Sequence, residues 1–204
     1  MTKWVHDFAE GSGEQRDLLG GKGANLAEMT NLGLPVPPGF TITTDACRYY
    51  LEHGSTPPDL EAQVSEHLAA LEKAMGKTLG DPADPLLVSV RSGAAASMPG
   101  MMETVLNVGL NDESVEGLAE QAGSERFAWD SYRRLIQMFG KTVLDIDGEH
   151  FEHALDEVKR EQGTESDLDL DEEHLKDVVG RFKAIVREQT GADFPMDPRE
   201  QMDL

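Results

Sequence analysis

A lysine set among three glycines is the first feature of this sequence that could do chemistry. Lys22 lies in the segment LLGGKGANLAEM, residues 18–29, directly before residues that favour a helix. Glycines let backbone N–H groups approach an anion closely, and a helix N-terminus adds positive potential. The segment therefore predicts phosphate binding, with the lysine supplying a mobile charge. The alternative is an ordinary tight turn with a solvated lysine. A Walker A loop is excluded, because Arg16 and Gly23 stand where that motif needs glycine and Ser or Thr.

A second cationic candidate is Arg91. It follows the apolar run LLVSV at residues 86–90, which is typical of a buried strand. An arginine at the carboxyl end of a strand stands where open α/β sheets bind ligands. Its guanidinium can bind a phosphate through two hydrogen bonds, and Ser92, Gly93 and Ser97 offer further donors.

A methionine-rich loop follows this arginine. The sequence SMPGMM, residues 97–102, places Met98, Met101 and Met102 in a segment that small residues otherwise dominate. One interpretation is a mobile flap that covers an aromatic base or a reacting phosphate. The other is that the methionines fill gaps in the core.

The histidines and the single cysteine carry weaker signals. His150 and His153 share one predicted helix face, and such a pair can bind a metal, but the polar surroundings favour a solvated face. Cys47 is predicted to be a small core residue rather than a nucleophile. With one cysteine, the sequence excludes an intrachain disulfide and a multi-cysteine zinc site.

The elements that must position these residues change in kind along the chain, since no proline occurs between Pro99 and Pro195. The first part predicts strands, turns and short helices, and the later part predicts helices joined by short loops. The predicted strands cover residues 3–8, 40–43 and 86–90, and the early helices cover 24–32, 45–53 and 58–75. Three later helices follow apolar periodicity; the first begins after Ser124, and the last runs from Asp171 to near Gly191.

Composition limits the partners of the chain. The 204 residues are 39% hydrophobic and 28% charged, enough for one large domain or two small ones, and the net charge is −21. Such acidity disfavours nucleic acid and anionic membranes as partners, and residues 111–204 are the more acidic part. The apolar runs are too short for a bilayer, and the start has no signal-peptide pattern. We therefore expect a cytoplasmic protein that contacts neither nucleic acid nor membrane.

Four segments resemble, in order and spacing, the N-terminal nucleotide-binding region of the pyruvate, phosphate dikinase family. They are KWVHDFAEG, RDLLGGKGANLAEMTNLGLPVPPGFTITTDAC, PLLVSVRSGAAASMPGMMETVLNVGLND and FAWDSYRRLIQMFG. The resemblance spans essentially the whole chain. The related phosphoenolpyruvate synthases share GGKGANL and VRS but differ after the arginine, so SMPGMM favours the dikinase.

The resemblance implies an α/β fold class: the N-terminal lobe of an ATP-grasp-like nucleotide-binding domain, with an inserted helical subdomain. The lobe would occupy residues 1–110 and the helical subdomain residues 111–195. Residues 196–204 would begin the return to the first lobe.

The resemblance also implies a reaction and a site. The family converts ATP, phosphate and pyruvate into AMP, pyrophosphate and phosphoenolpyruvate, with a phosphohistidine on a swivelling domain as the carrier. Lys22 and Arg91 would hold the ATP phosphates. The residues expected to lie over those phosphates are Ser92, Ser97, Met98, Gly100, Met101 and Met102. ATP would bind with Mg²⁺, and the metal ligands are expected outside this chain.

Family members are several times longer, so we expect no catalytic residue in this chain and no complete reaction from it. It would be an engineered fragment, or one piece of a split or truncated gene. The implied partners are ATP, the remaining dikinase domains and a regulatory protein, and the full-length enzyme would be a homodimer. Two alternatives stay open: a phosphoenolpyruvate synthase-type relative, and a non-catalytic interaction module of a split dikinase whose acidic helices dock a partner.

Overall fold

The computed structural model describes residues 2–92 and 104–203. The chain divides into two compact units. The first unit consists of Met1–Gly76 and a second segment that begins at Ser92. The second unit consists of Lys77–Arg91 and Glu103–Leu204. Within the described ranges, no helix is both long enough and apolar enough to cross a membrane.

Two short strands and three helices build the first unit. Strand β1 (Val5–Asp7) pairs antiparallel with β2 (Phe40–Ile42), with His6 opposite Thr41. The helices are α1 (Arg16–Asn31), α2 (Thr44–His53) and α3 (Leu60–Met75). The side chains that face inward from α1 are small, mainly Ala24 and Ala27 beside Leu19, so this helix can pack closely on its neighbours.

Local sequence explains where these helices end. The hydroxyl of Thr43 accepts a hydrogen bond from the backbone N–H of Ala46 at the start of α2. Gly54 and Gly76 close α2 and α3 with φ near 67° and 65°, a backbone conformation that favours glycine. The predicted strands at 3–8 and 40–43 and the predicted helices at 45–53 and 58–75 are confirmed to within a few residues. Cys47, predicted to be in the core, is exposed on α2, so that prediction is wrong.

The second unit is mainly helical and carries two strand pairs. Strands β3 (Thr78–Leu79) and β4 (Pro85–Leu86) run parallel, and β5 (Val88–Arg91) and β6 (Thr104–Val108) run antiparallel. The helices are α4 (Ser114–Ala122), α5 (Glu125–Thr142), α6 (Gly148–Gln162), α7 (Glu172–Thr190) and α8 (Pro198–Asp203).

The core of this unit forms around α5. One face of that helix is fully buried and includes Tyr132, Leu135 and Phe139. Phe151 of α6 meets Phe182 of α7 edge-on, with ring centroids 5.1 Å apart. The predicted caps are confirmed: Ser124 accepts from the N–H of Phe127, Asp171 accepts from that of His174, and Gly191 ends α7. Apolar periodicity and capping residues therefore determine these helices locally.

An ionic network fastens α5 to the turn between α6 and α7. Arg133 is only 4% exposed and donates to Asp130 at 2.8 Å and to Asp167 at 3.0 Å. Lys159 of α6 adds a second cation 3.1 Å from Asp167. The carboxylate of Asp167 therefore joins a cation of α5 and a cation of α6 to the turn that follows α6.

The prediction of one buried strand at residues 86–90 is wrong in two respects. The run is divided between β4 and β5, and Ser89 and Val90 are exposed, Val90 by 47%. Strand β5 has β6 as an antiparallel partner, and a bulge interrupts their pairing between Val88 and Val90. Arg91 therefore ends a partly exposed strand of an antiparallel pair, and not the buried strand that the apolar run predicted.

Candidate functional site

A break in α1 creates the backbone setting of Lys22. Gly20 has φ 69° and ψ 169°, so the helix stops there and begins again at the next residue. This backbone conformation is essentially confined to glycine. The first N–H groups of the new helical piece lack partners within the helix, and Lys22 lies in that first turn. The predicted helix start at residue 24 is therefore corrected: the glycine-rich segment lies inside α1.

Close packing fixes the same turn against strand β2. A Cβ atom placed on Gly23 would lie 2.8 Å from Cγ2 and 2.9 Å from Oγ1 of Thr41, too close for any side chain. The backbone of α1 thus rests directly on β2, which only a glycine permits. The two glycines have separate uses: Gly20 makes the break, and Gly23 makes the contact that holds Lys22.

The ammonium of Lys22 reaches the other chain segment of the first unit. Its Nζ donates a hydrogen bond of 3.1 Å to the backbone carbonyl of Ser92. A lysine ammonium has three N–H donors, so this contact leaves capacity for an anion. The structure therefore brings together two of the predicted site residues, which are 70 positions apart in the sequence.

Arg91 belongs to the second unit, where it ends β5 opposite Thr104 of β6. Its side chain is exposed, and its Nε donates to the hydroxyl of Ser89 at 3.2 Å. Sequence reasoning missed Ser89, although the alternation of a strand places residues two apart on one face. The other predicted site residues lie outside the described residues: Ser97, Met98, Gly100, Met101 and Met102.

A second polar cluster, which sequence reasoning also missed, lies in the first unit. Nδ1 of His67 is 2.6 Å from a carboxylate oxygen of Asp7, and Glu10 accepts from Nζ of Lys3 at 2.6 Å and from the N–H of Asp7 at 2.9 Å. The hydrogen bond from Lys3 lowers the pKa of Glu10, and burial lowers the pKa of the neighbouring His6. Ligand atoms of Asp7, Glu10 and His67 lie within 4.8 Å of one another. His67 is 60 positions from Asp7, so no local motif could have revealed the cluster.

Asp7 and His67 also line a cavity of about 280 Å³, whose other walls are mostly apolar residues such as Phe8, Pro37 and Leu71. The cluster is unsuited to a cation as it stands. Its carboxylates already accept hydrogen bonds from protein groups, and the ammonium of Lys3 would repel a metal ion. A structural role follows, in which the cluster ties α3 to β1.

The paired histidines of α6 lie in a polar setting. His150 and His153 are both exposed, and Nδ1 of His153 is 3.6 Å from a carboxylate oxygen of Glu157. Both residues border a broad surface groove along α6 and α7 that carboxylates dominate.

The chain was compared with known protein families. The family model described as "Pyruvate phosphate dikinase, AMP/ATP-binding domain" matches residues 16–56 and 53–141. The chain belongs to this family. Both Lys22 and Arg91 fall within the matched residues.

Relatives resemble the chain over nearly its whole length. The pyruvate, phosphate dikinase of Rhizobium meliloti (strain 1021) is 56% identical over 99% of the chain, which is 23% of that protein. The dikinase of Clostridium symbiosum is 51% identical over 99% of the chain, which is 23% of that protein. The dikinase of Giardia intestinalis is 54% identical over 100% of the chain, which is 24% of that protein. The chain therefore spans about a quarter of the length of the relatives it matches.

Proposed function

We propose that this chain is the ATP-binding portion of a pyruvate, phosphate dikinase, and that Lys22 and Arg91 neutralise the polyphosphate of ATP. Membership of the AMP/ATP-binding family supports the ligand class. Phosphoryl transfer depends mainly on positioning and on neutralising charge, and a lysine, an arginine and backbone amides are suitable groups for both.

The observation that carries the proposal is the placement of Lys22. A glycine-only break puts it in the first turn of a helical piece. The helix dipole and the N–H groups that have no partner within the helix favour an anion there. Its ammonium reaches Ser92, in the segment that resembles the family's phosphate-binding loop. A solvated lysine in an ordinary turn would need neither feature.

The proposed site residues fit a phosphate better than a metal. Lys22, Arg91 and Ser92 supply positive charge and hydrogen-bond donors, whereas Mg²⁺ requires oxygen ligands such as carboxylates. Any Mg²⁺ that accompanies ATP would therefore be held by groups outside this set. That the metal ligands lie beyond this chain is part of the same proposal.

The complete reaction of the proposed enzyme is the conversion of ATP, phosphate and pyruvate into AMP, pyrophosphate and phosphoenolpyruvate. It would need the phosphohistidine and pyruvate domains of the family, so this chain alone would bind ATP without turnover. The lobe at residues 1–110 with ATP-grasp-like topology, the helical subdomain at 111–195 and a homodimeric full-length enzyme are parts of the same proposal. The quoted relatives carry the dikinase name, which favours that enzyme over a phosphoenolpyruvate synthase.

Calorimetry with Mg-ATP tests the proposal on the 204-residue chain. We expect measurable but weak binding, and at least a tenfold loss of affinity in Lys22→Ala and in Arg91→Ala. The matched control is Lys73→Ala, which removes one positive charge from an exposed position of α3 and should leave the affinity unchanged.

Two results would contradict the proposal. Equal losses in Lys22→Ala and Lys73→Ala would mean that only net charge matters. A wild-type chain that gives no heat at millimolar Mg-ATP would favour the interaction module, whose acidic helices would bind a protein partner instead.

A further inference from the structure

Within strand β5, a serine holds the side chain of the arginine two residues further on. The hydroxyl of Ser89 accepts a hydrogen bond from Nε of Arg91 at 3.2 Å. Successive side chains of a strand point to opposite faces, so residues two apart lie side by side on the same face. The contact is therefore built into the strand and does not depend on any loop.

The partner of Arg91 is a neutral group, unlike that of several other arginines. The chain has 39 Asp and Glu residues against 18 Lys and Arg, and other arginines of the second unit, such as Arg133 and Arg181, pair with carboxylates. Among the described residues, no carboxylate lies within ion-pair distance of Arg91. Its partner is a neutral hydroxyl, which orients the guanidinium without cancelling its charge.

The hydrogen bond also leaves the binding edge of the guanidinium open. Arginine has five N–H donors, of which Nε carries one. With Nε occupied by Ser89, the four N–H groups of the two terminal nitrogens have no partner among the described residues. These terminal groups can form two parallel hydrogen bonds with a phosphate.

The backbone beside Ser89 is specialised as well. The bulge in the β5–β6 pairing falls between Val88 and Val90, opposite Asn107, which has φ 61°. Bulges increase the local twist of a strand pair and change the direction of nearby side chains. The irregularity therefore coincides with the residue that contacts Arg91.

We infer that Ser89 is a positioning residue: it orients Arg91 so that the terminal guanidinium nitrogens face a phosphate of the bound nucleotide. This inference rests on the proposed function, since it assigns Arg91 to phosphate binding. Orienting the side chain before binding reduces the conformational entropy lost when the ligand arrives. Ser89 itself would not touch the ligand.

The test uses two nearly isosteric substitutions in the full 204-residue chain. Threonine and valine have nearly the same shape and both favour strands. Ser89→Thr keeps the hydroxyl, whereas Ser89→Val has a methyl group in its place. We expect Ser89→Val to weaken Mg-ATP binding about 2–10-fold, the range of one hydrogen bond, and Ser89→Thr to bind like wild type. In an Arg91→Ala background, Ser89→Val should have no further effect. Equal affinity of the Val and Thr variants, with wild-type binding intact, would overturn the inference and leave the proposed function standing.

A second measurement separates the inference from the proposed function. ¹⁵N relaxation of the Arg91 Nε–H group, assigned by its loss in Arg91→Lys, reports the order of the side chain without any ligand. We expect the order parameter to fall in Ser89→Val and to be retained in Ser89→Thr. If wild type binds no Mg-ATP, the proposed function fails, and this measurement still decides whether Ser89 holds Arg91. An order parameter that Ser89→Val leaves unchanged would overturn the positioning contact.

Discussion

Lys22 and Ser92 lie 70 positions apart in the sequence, yet Nζ of the lysine donates a hydrogen bond of 3.1 Å to the backbone carbonyl of the serine. The lysine is held from both sides. Its own backbone is fixed by the break at Gly20 and by the packing of Gly23 on Thr41.

Gly20→Ala should disrupt the break in α1. Gly20 has φ 69° and ψ 169°, a region that costs other residues about 1–3 kcal/mol. We expect the first unit to lose that much stability and Mg-ATP binding to weaken, because the turn that carries Lys22 would change. Urea unfolding and calorimetry measure the two effects.

Gly54→Ala is the control for this strain. Gly54 also has positive φ, 67°, but ends α2, and its added Cβ would meet nothing within 4 Å. It should cost about 1 kcal/mol and leave Mg-ATP affinity unchanged. If Gly20→Ala binds Mg-ATP as tightly as Gly54→Ala, the break does not serve the site.

Gly23→Ala should destabilise the first unit by overpacking. The new methyl would lie 2.8 Å from Cγ2 of Thr41, and such insertions cost about 1–3 kcal/mol. Trp4 lies in the first unit and Trp129 in the second, so the fluorescence of Trp4 in a Trp129→Phe background reports on the first unit during unfolding.

Gly180→Ala is the control for overpacking, and it should stabilise the protein where Gly23→Ala destabilises it. Gly180 is exposed within α7, and a Cβ there would meet nothing within 4 Å. Alanine favours a helix over glycine by roughly 0.5–1 kcal/mol, so this variant should be stabilised. A Gly23→Ala variant as stable as wild type would show that α1 can withdraw from β2.

Asn107→Val should destabilise the β5–β6 pair. Asn107 has φ 61°, which asparagine tolerates and a β-branched residue does not, so we expect a loss of about 1–2 kcal/mol in urea unfolding. Asn107→Gly should preserve the bulge and stay near wild type. Leu106→Val at the neighbouring exposed position is the matched control, and a comparable loss there would attribute the effect to the strand rather than to the positive φ.

Asp167 should make the second unit sensitive to acid. Burial by itself would raise the pKa of this carboxyl, but the hydrogen bonds and charges of Lys159 and Arg133 lower it below its ordinary value of 3.8. A carboxyl whose pKa is lowered by folding stabilises the native state above its unfolded pKa. That contribution is lost as the pH falls below about 4 and through the lowered pKa.

The measurement is the free energy of unfolding between about pH 2.5 and 6, an interval that brackets the ordinary pKa of a carboxyl group. Asp167→Asn should lower stability at pH 6 and flatten its decline toward pH 2.5. Asp193→Asn, at an exposed carboxylate, should follow the wild-type curve. Parallel curves for wild type and Asp167→Asn would exclude Asp167 as the group responsible.

Three helices of the second unit, α5, α6 and α7, were predictable because their information is local. Apolar spacing marks the buried face of α5, and Ser124, Asp171 and Gly191 mark helix ends through bonds to residues a few positions away. The structure of residues 86–90 was not predictable in this way, because an apolar run does not show which strand pairs with it or which of its residues stay exposed. The prediction that Cys47 lies in the core was wrong for the same reason, because its burial depends on what packs against α2.

The sequence by itself determined the cationic character of the candidate site, the helical nature of the later part of the chain and the resemblance that the family comparison confirmed. Only the tertiary structure decided that Lys22 meets Ser92 and that His67 pairs with Asp7. Helix caps and apolar periodicity act over a few residues, so a pattern can reveal them. Contacts across tens of residues depend on how whole elements pack, and no short stretch of sequence contains that information.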